Sequence, residues 1–188
     1  MFLVGRPTVD DLDRILSGQR AERVTYAEVE ATREQLPAGY RHDRHAIELG
    51  TGEDVYRRAV QGLVDWEAHR RAGLMLHPAK PPIRESETVI LAVSLPGLSA
   101  IAACRIVYVT DEGDRFGFAY GTLPAHLEQG EEAFHIERDH DDVVRFVVTA
   151  FSRPRHPLAR LGSPIARRVQ LSVTRRYLKS LAEVAAGR

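Results

Sequence analysis

Cysteine is almost missing from this 188-residue sequence: Cys104 stands alone, inside the apolar run LSAIAACRIVYV. A single thiol excludes an intramolecular disulfide and a cysteine-rich zinc site, and it reads as a small buried hydrophobe in a reducing compartment. No segment approaches the length of a membrane span, and the opening MFLVGRPTVDD has too short an apolar run for a secretory signal. A soluble cytoplasmic protein is therefore expected. Glycine-rich phosphate loops, a nucleophile elbow and a Ser/His/Asp pattern are all missing, as are internal repeats and low-complexity tracts. No cofactor and no metal are expected.

Net charge is missing too, since 26 Lys and Arg balance 26 Asp and Glu. The balance hides an asymmetry. Residues 123–142 hold seven acids against Arg138, whereas residues 151–188 hold nine Lys or Arg against Glu183. A basic terminal segment can face nucleic acid or anionic lipid, but a dedicated nucleic-acid binder usually has a basic total charge. The plainer reading makes the two segments neighbours, or the arginines a solvated helix face, so nucleic acid is not the favoured partner.

What is present is enough apolar sequence, 44%, to build one domain with a buried core. The expected layout is a helical or irregular annex over 1–48 and a core over 49–188. In PTVDDLDRIL, Thr8 caps with Asp11, and in VTYAEVEA the pair Thr25 and Glu28 forms a second capping box that predicts a short helix. RHDRHAIE, with His42 and His45, reads as solvated. GTGEDVYRRAVQGLVDWEAHRRAGL predicts one amphipathic helix, with Val55, Ala59, Leu63 and Trp66 at helical spacing and Gly73 at its end.

From Thr88 the apolar period changes to two. TVILAVSL, IAACRIVYV, RFGFAYGT, EAFHIER and VVRFVVTAF are five strand-like runs separated by PGLS, DEGD, LPAHLEQG and DHDD. Turns this short imply an antiparallel meander. Past SRPRHPLARLG the helical period returns, with Ser163 as cap, Pro164 in the first turn, and a stripe of Ile165, Val169, Val173, Tyr177, Leu181 and Val184. The fold class is α+β: a curved antiparallel sheet gripping a long C-terminal helix. The space between them is the usual place for an apolar ligand.

YGTLPAHLEQGEEAF and VVRFVVTAFSRPRHPLARLGSPIARRVQLSVTRRYL resemble the signature of an uncharacterised bacterial and plant family, domain of unknown function nineteen-ninety. TYAEVEATREQLPAGY, VDWEAHRRAGL and CRIVYVTDE extend the resemblance over most of the chain, although the family pattern has glycine where Glu30 stands. Membership implies no established activity. The layout is similar to the helix-grip superfamily that includes lipid-transfer (START) domains and small-molecule cyclases.

In FAYGTLPAHLEQGEEAF, alternation puts Phe116, Phe118 and Tyr120 on the face that carries Glu132, Phe134 and Ile136. Glu131, Ala133, His135 and Glu137 share the other. Glu132 on an apolar face is disfavoured unless it is paired, which makes it a candidate acid–base group or ligand anchor. The structural alternative pairs it with Arg105 or Arg153, or with backbone amides of residues 123–130. His126 is a candidate for proton transfer beside it, with Tyr120 as a second helper. Tyr120, Glu132, Arg153, Arg105 and Trp66 are the candidate ligand contacts. Arg153, Arg155, His156 and Arg160 precede a helix start that could hold an anion.

The expected function is binding of an apolar or aromatic small molecule, with acid–base chemistry such as cyclisation, dehydration or hydrolysis as its enzymatic form. A different class is a non-catalytic protein using its basic terminal helix on nucleic acid or anionic membrane. Either a monomer or a homodimer is compatible with the sequence.

Overall fold

The computed structural model describes residues 1–155 and 163–188. In chain order the elements are β1 (Phe2–Val4), α1 (Val9–Gln19), a 3-10 turn (Ala31–Arg33), β2 (Arg41–Thr51), α2 (Glu53–Val64), α3 (Glu67–Arg71), β3 (Met75–His77), β4 (Thr88–Leu95), β5 (Leu98–Asp111), β6 (Arg115–Thr122), β7 (Glu128–Arg138), β8 (Val143–Pro154) and α4 (Ser163–Ala185). The strands form one antiparallel sheet in the order β2-β8-β7-β6-β5-β4-β3, with β1 added to β5. All five runs of period two are strands, and the long terminal helix lies over one face of the sheet. No helix among the described residues is long and apolar enough to cross a membrane.

The core follows from that layering. Side chains from β4 to β8 (Val89, Ile106, Phe118, Phe134, Ile136, Phe146) meet Leu63 and Trp66 from the helical segment and Tyr177 and Leu181 from α4. On the opposite face, Leu12 and Leu16 of α1 pack on Ile90, Ile101, Ala103 and Leu123. The Thr8–Asp11 capping box that starts α1 is formed as expected, each residue bonding the other's backbone.

Three expectations need correction. The stretch around Thr25 and Glu28 is not a helix. Thr25 donates its backbone N–H to the Thr122 carbonyl at 2.9 Å, and Glu30 takes φ +67°, a left-handed conformation that breaks any helix. That conformation also accounts for the glycine expected at position 30, because only glycine adopts it freely. Second, the helix expected over 51–73 is two helices. Trp66 has φ +59° between them, which turns its indole fully inward to donate to the Pro81 carbonyl at 2.9 Å. Gly73 closes α3 as foreseen: its N–H reaches Arg70 O and that of Leu74 reaches His69 O, with φ +88°.

Third, residues 41–51 are not a solvated stretch but β2, paired with β8 from Arg41↔Ser152 to Thr51↔Val143. Arg41, Asp43, His45 and Ile47 are half-buried, while His42, Arg44, Ala46 and Glu48 between them are exposed. Likewise β7 begins at Glu128, so the connection from β6 is shorter than LPAHLEQG. Gly130 lies inside the strand at φ +150°, where a side chain would run into the Phe151 carbonyl.

Candidate functional site

The pairing of β6 with β7 sets Tyr120 directly opposite Glu132, so alternation puts both side chains on the helix-bearing face. There the Tyr120 hydroxyl donates to Glu132 Oε2 at 2.9 Å. Among the described residues this is the only hydrogen-bond partner of Glu132, and no cation pairs with it. Burial lifts its carboxyl from the ordinary range to about 7; the Tyr120 bond opposes the rise, and the negative charges of Glu128 and Asp43 add to it. Glu132 nevertheless retains some exposure.

His69 completes this group, and the sequence reading missed it. It is wholly buried, with its ring 4.7 Å from those of Trp66 and Tyr177 and 4.8 Å from that of Phe134. Nε2 lies 3.4 Å from the Tyr120 hydroxyl, and Nδ1 has no partner among the described residues. With the Tyr120 proton directed to Glu132, this contact is a hydrogen bond in the tautomer that carries Nε2–H, and that tautomer leaves Nδ1 as a bare lone pair. Burial lowers the imidazole pKa to about 3, so the ring is neutral. The signal was legible: His69 continues the stripe of Leu63 and Trp66 at a spacing of three.

Glu131, the neighbouring carboxylate, has the opposite surroundings. It points to the other face and is buried beneath residues 26–32. Tyr26 Oη donates to it at 2.7 Å, Glu30 N at 2.8 Å and Thr32 N at 3.1 Å, with the Thr32 hydroxyl in a further short contact. Four donors saturate it, whereas one donor leaves Glu132 with unused capacity.

The other expected site residues are spread out. Arg105 does not reach Glu132; its guanidinium bonds the carbonyls of Gln19, Arg20 and Glu22 at 2.6–3.0 Å and so closes the C-terminal end of α1. Arg153 bonds Gln129 at 3.0 Å and lies over the Tyr40 ring at 4.2 Å. His126 is in the β6–β7 connection, where Nδ1 accepts from Glu128 N at 2.9 Å; burial and then the nearby Met1 ammonium lower its pKa to about 4. Trp66 touches the group through His69 and through Phe118, at 4.9 Å between rings. The anion site expected around His156 and Arg160 falls outside the described residues.

One side of Glu132 is bounded by a charged network joining β2 to α4. Arg41 donates to Gln170 at 2.7 Å and Ser152 at 3.0 Å and lies 3.4 Å from Glu128. Arg167 grips Asp43 with both terminal nitrogens. The acid ion-paired with α4 here is thus Asp43 of β2, while of the acidic 123–142 stretch Glu128 faces α4, accepting from Gln170 at 3.4 Å and adding its charge near Arg167. Arginine at 167 holds the helix to the sheet.

Solved structures with this arrangement are similar in fold. A hypothetical protein of Helicobacter pylori superposes with a TM-score of 0.59 at 10% identity, over 87% of this chain and 96% of that one. A Thermus thermophilus protein gives 0.55 at 17% identity, over 78% and 98%. Such identities show the helix-grip fold alone. Sequence relatives are nearer. A UPF0548 protein of Deinococcus radiodurans is 33% identical over 98% of this chain and 99% of its own, and one of Dictyostelium discoideum is 30% identical over 90% and 89%. The family model described as Domain of unknown function (DUF1990) matches residues 25–180. On that match, and on the resemblance already visible in YGTLPAHLEQGEEAF, the chain belongs to the DUF1990 family.

Proposed function

We propose that this protein binds a small molecule with an apolar or aromatic body and one polar group, and that Glu132 and Tyr120 receive the polar group. The observation that carries this reading is the under-bonded carboxyl of Glu132, which has one hydrogen bond and no cation partner among the described residues, one residue from a carboxylate that is fully bonded. Leaving a carboxyl desolvated with a single donor opposes stability, and such arrangements are concentrated at sites of binding and catalysis. The centre of the sheet–helix space is filled by Trp66, Phe118, Phe134 and Phe146. The ligand would therefore meet Glu132 at its partly exposed side and not in the centre of that space.

An enzymatic form of the same reading is favoured by one value. A carboxyl that titrates near 7 can give and take a proton at neutral pH, the requirement for general acid–base chemistry. Glu132 would be the proton-transfer group, and Tyr120, whose one O–H is released to a ligand oxygen when Glu132 is protonated, the donor that steadies developing charge there. Cyclisation, dehydration and hydrolysis all need that pair of roles.

The test uses 2-naphthol, an aromatic body with one hydroxyl, titrated into the protein by fluorescence, beside native mass spectrometry of freshly purified protein. Saturable binding weakened about tenfold in Glu132→Gln and in Tyr120→Phe, the effect of one lost hydrogen bond, is expected. No saturable binding together with a native mass equal to the bare chain would contradict the proposal.

A further inference from the structure

The two ends of the sheet differ in a way that points to a partner. The β3 end is three residues long and is followed at once by Pro78, so it offers little to pair with. The β2 end is eleven residues long, contains no proline or lysine, and has no strand on its outer side among the described residues. Its irregularity is confined to the far end, between Glu48 and Gly50. Long, regular, unpartnered edges are pairing templates.

The exposed side chains of β2 select the partner. Arg44 and Glu48 flank the small Ala46 symmetrically; neither makes an ion pair or hydrogen bond among the described residues, although Glu48 stands opposite Arg145 of β8 and its charge favours that arginine. An antiparallel copy of the same strand centred on Ala46 sets Arg44 opposite Glu48 of the second copy, twice. In this register residues Arg44 to Glu48 of both copies pair with one another, all of them ahead of the bulge at Glu48/Gly50. Moving the centre to Arg44 would set Arg44 against itself, and moving it to His45 would set Arg44 opposite Ala46 and leave its charge unmatched. An open groove of about 490 Å³ between Ile47 and the Leu178–Ala182 turn of α4 leaves this margin of the sheet uncovered.

We propose that the protein forms a two-fold symmetric dimer by antiparallel pairing of β2 with β2 of a second copy, in register about Ala46. The interface is isologous, as two-fold dimers require. It is independent of the ligand reading, since it lies on the edge and outer face rather than at Glu132.

The test is sedimentation equilibrium of the full chain at high micromolar concentration, with circular dichroism to verify folding. Wild type is expected at twice the 21.0 kDa chain mass. Arg44→Glu alone and Glu48→Arg alone each turn two favourable cross-strand pairs into like-charge pairs, raising the dissociation constant about tenfold or more. The double variant R44E/E48R restores opposite charges in the same register and returns the dimer. A monomeric wild type overturns the proposal. So does a dimer indifferent to the single reversals, or a double variant no tighter than the singles.

Discussion

Glu131 and Glu132 are adjacent, chemically identical and opposite in consequence, because a strand sends them to different faces. Glu131 accepts from Tyr26, Glu30 and Thr32. Glu131→Ala would leave these buried donors unpaired, and a loss of about 3–5 kcal/mol in urea unfolding is expected. Glu132 behaves in the reverse sense. Its folded pKa of about 7 lies above the ordinary value of 4.5, so the native state holds a proton that the unfolded chain has released. Its contribution to stability is fully present below about pH 4.5, declines as pH rises, and is gone above about 7. Glu132→Gln is expected to be more stable than wild type by about 3 kcal/mol at pH 8 and indistinguishable at pH 4, compared by urea unfolding at both. A variant that gains stability as it loses binding is the signature of a residue kept for function.

At the scale of elements, the segment from Thr25 to Arg33 shows how local signals are overruled. Thr25 and Glu28 have the spacing of a capping box, yet Thr25 is drawn to Thr122 on the sheet and Tyr26 to Glu131. Tertiary hydrogen bonds there outweigh a helix too short to be stable alone. The left-handed φ of Glu30 follows from delivering two backbone amides, its own and that of Thr32, to Glu131. Glu30→Gly is therefore expected to stabilise the protein by about 0.5–1 kcal/mol in thermal unfolding, since it relieves the strain and costs only an exposed ion pair with Arg33. The strands of the meander and α4 were legible because each buries an uninterrupted apolar face. Strand β2 was not, because its inward positions Arg41, Asp43 and His45 are as polar as its outward ones, which erases the period of two.

For the molecule as a whole, the change of apolar period near Thr88 and again after residue 160 was sufficient to read a sheet gripping a helix. The site was legible in half. Strand alternation placed Tyr120 beside Glu132, but the partner of that carboxyl depends on which element covers which strand. Arg105 and Arg153 were plausible partners by charge and are held elsewhere, one by the end of α1 and one by Tyr40 and Gln129. His69 comes from a helix 51 residues before Tyr120 in sequence, and the Arg41–Gln170 contact joins residues 129 apart. Pattern alone cannot supply contacts of that range.

The proposed chemistry turns on Glu132 being a carboxyl without a cation inside the grip. The most direct measurement is its titration in the folded protein, by carbon-13 NMR of labelled glutamate with Glu132→Gln assigning the resonance. The predicted midpoint is about 7, moving higher in Tyr120→Phe, where the one hydrogen bond that favours the charged form is lost. A midpoint in the ordinary carboxylate range near 4.5, unmoved by Tyr120→Phe, would mean that the group is solvated or neutralised, and would contradict the account.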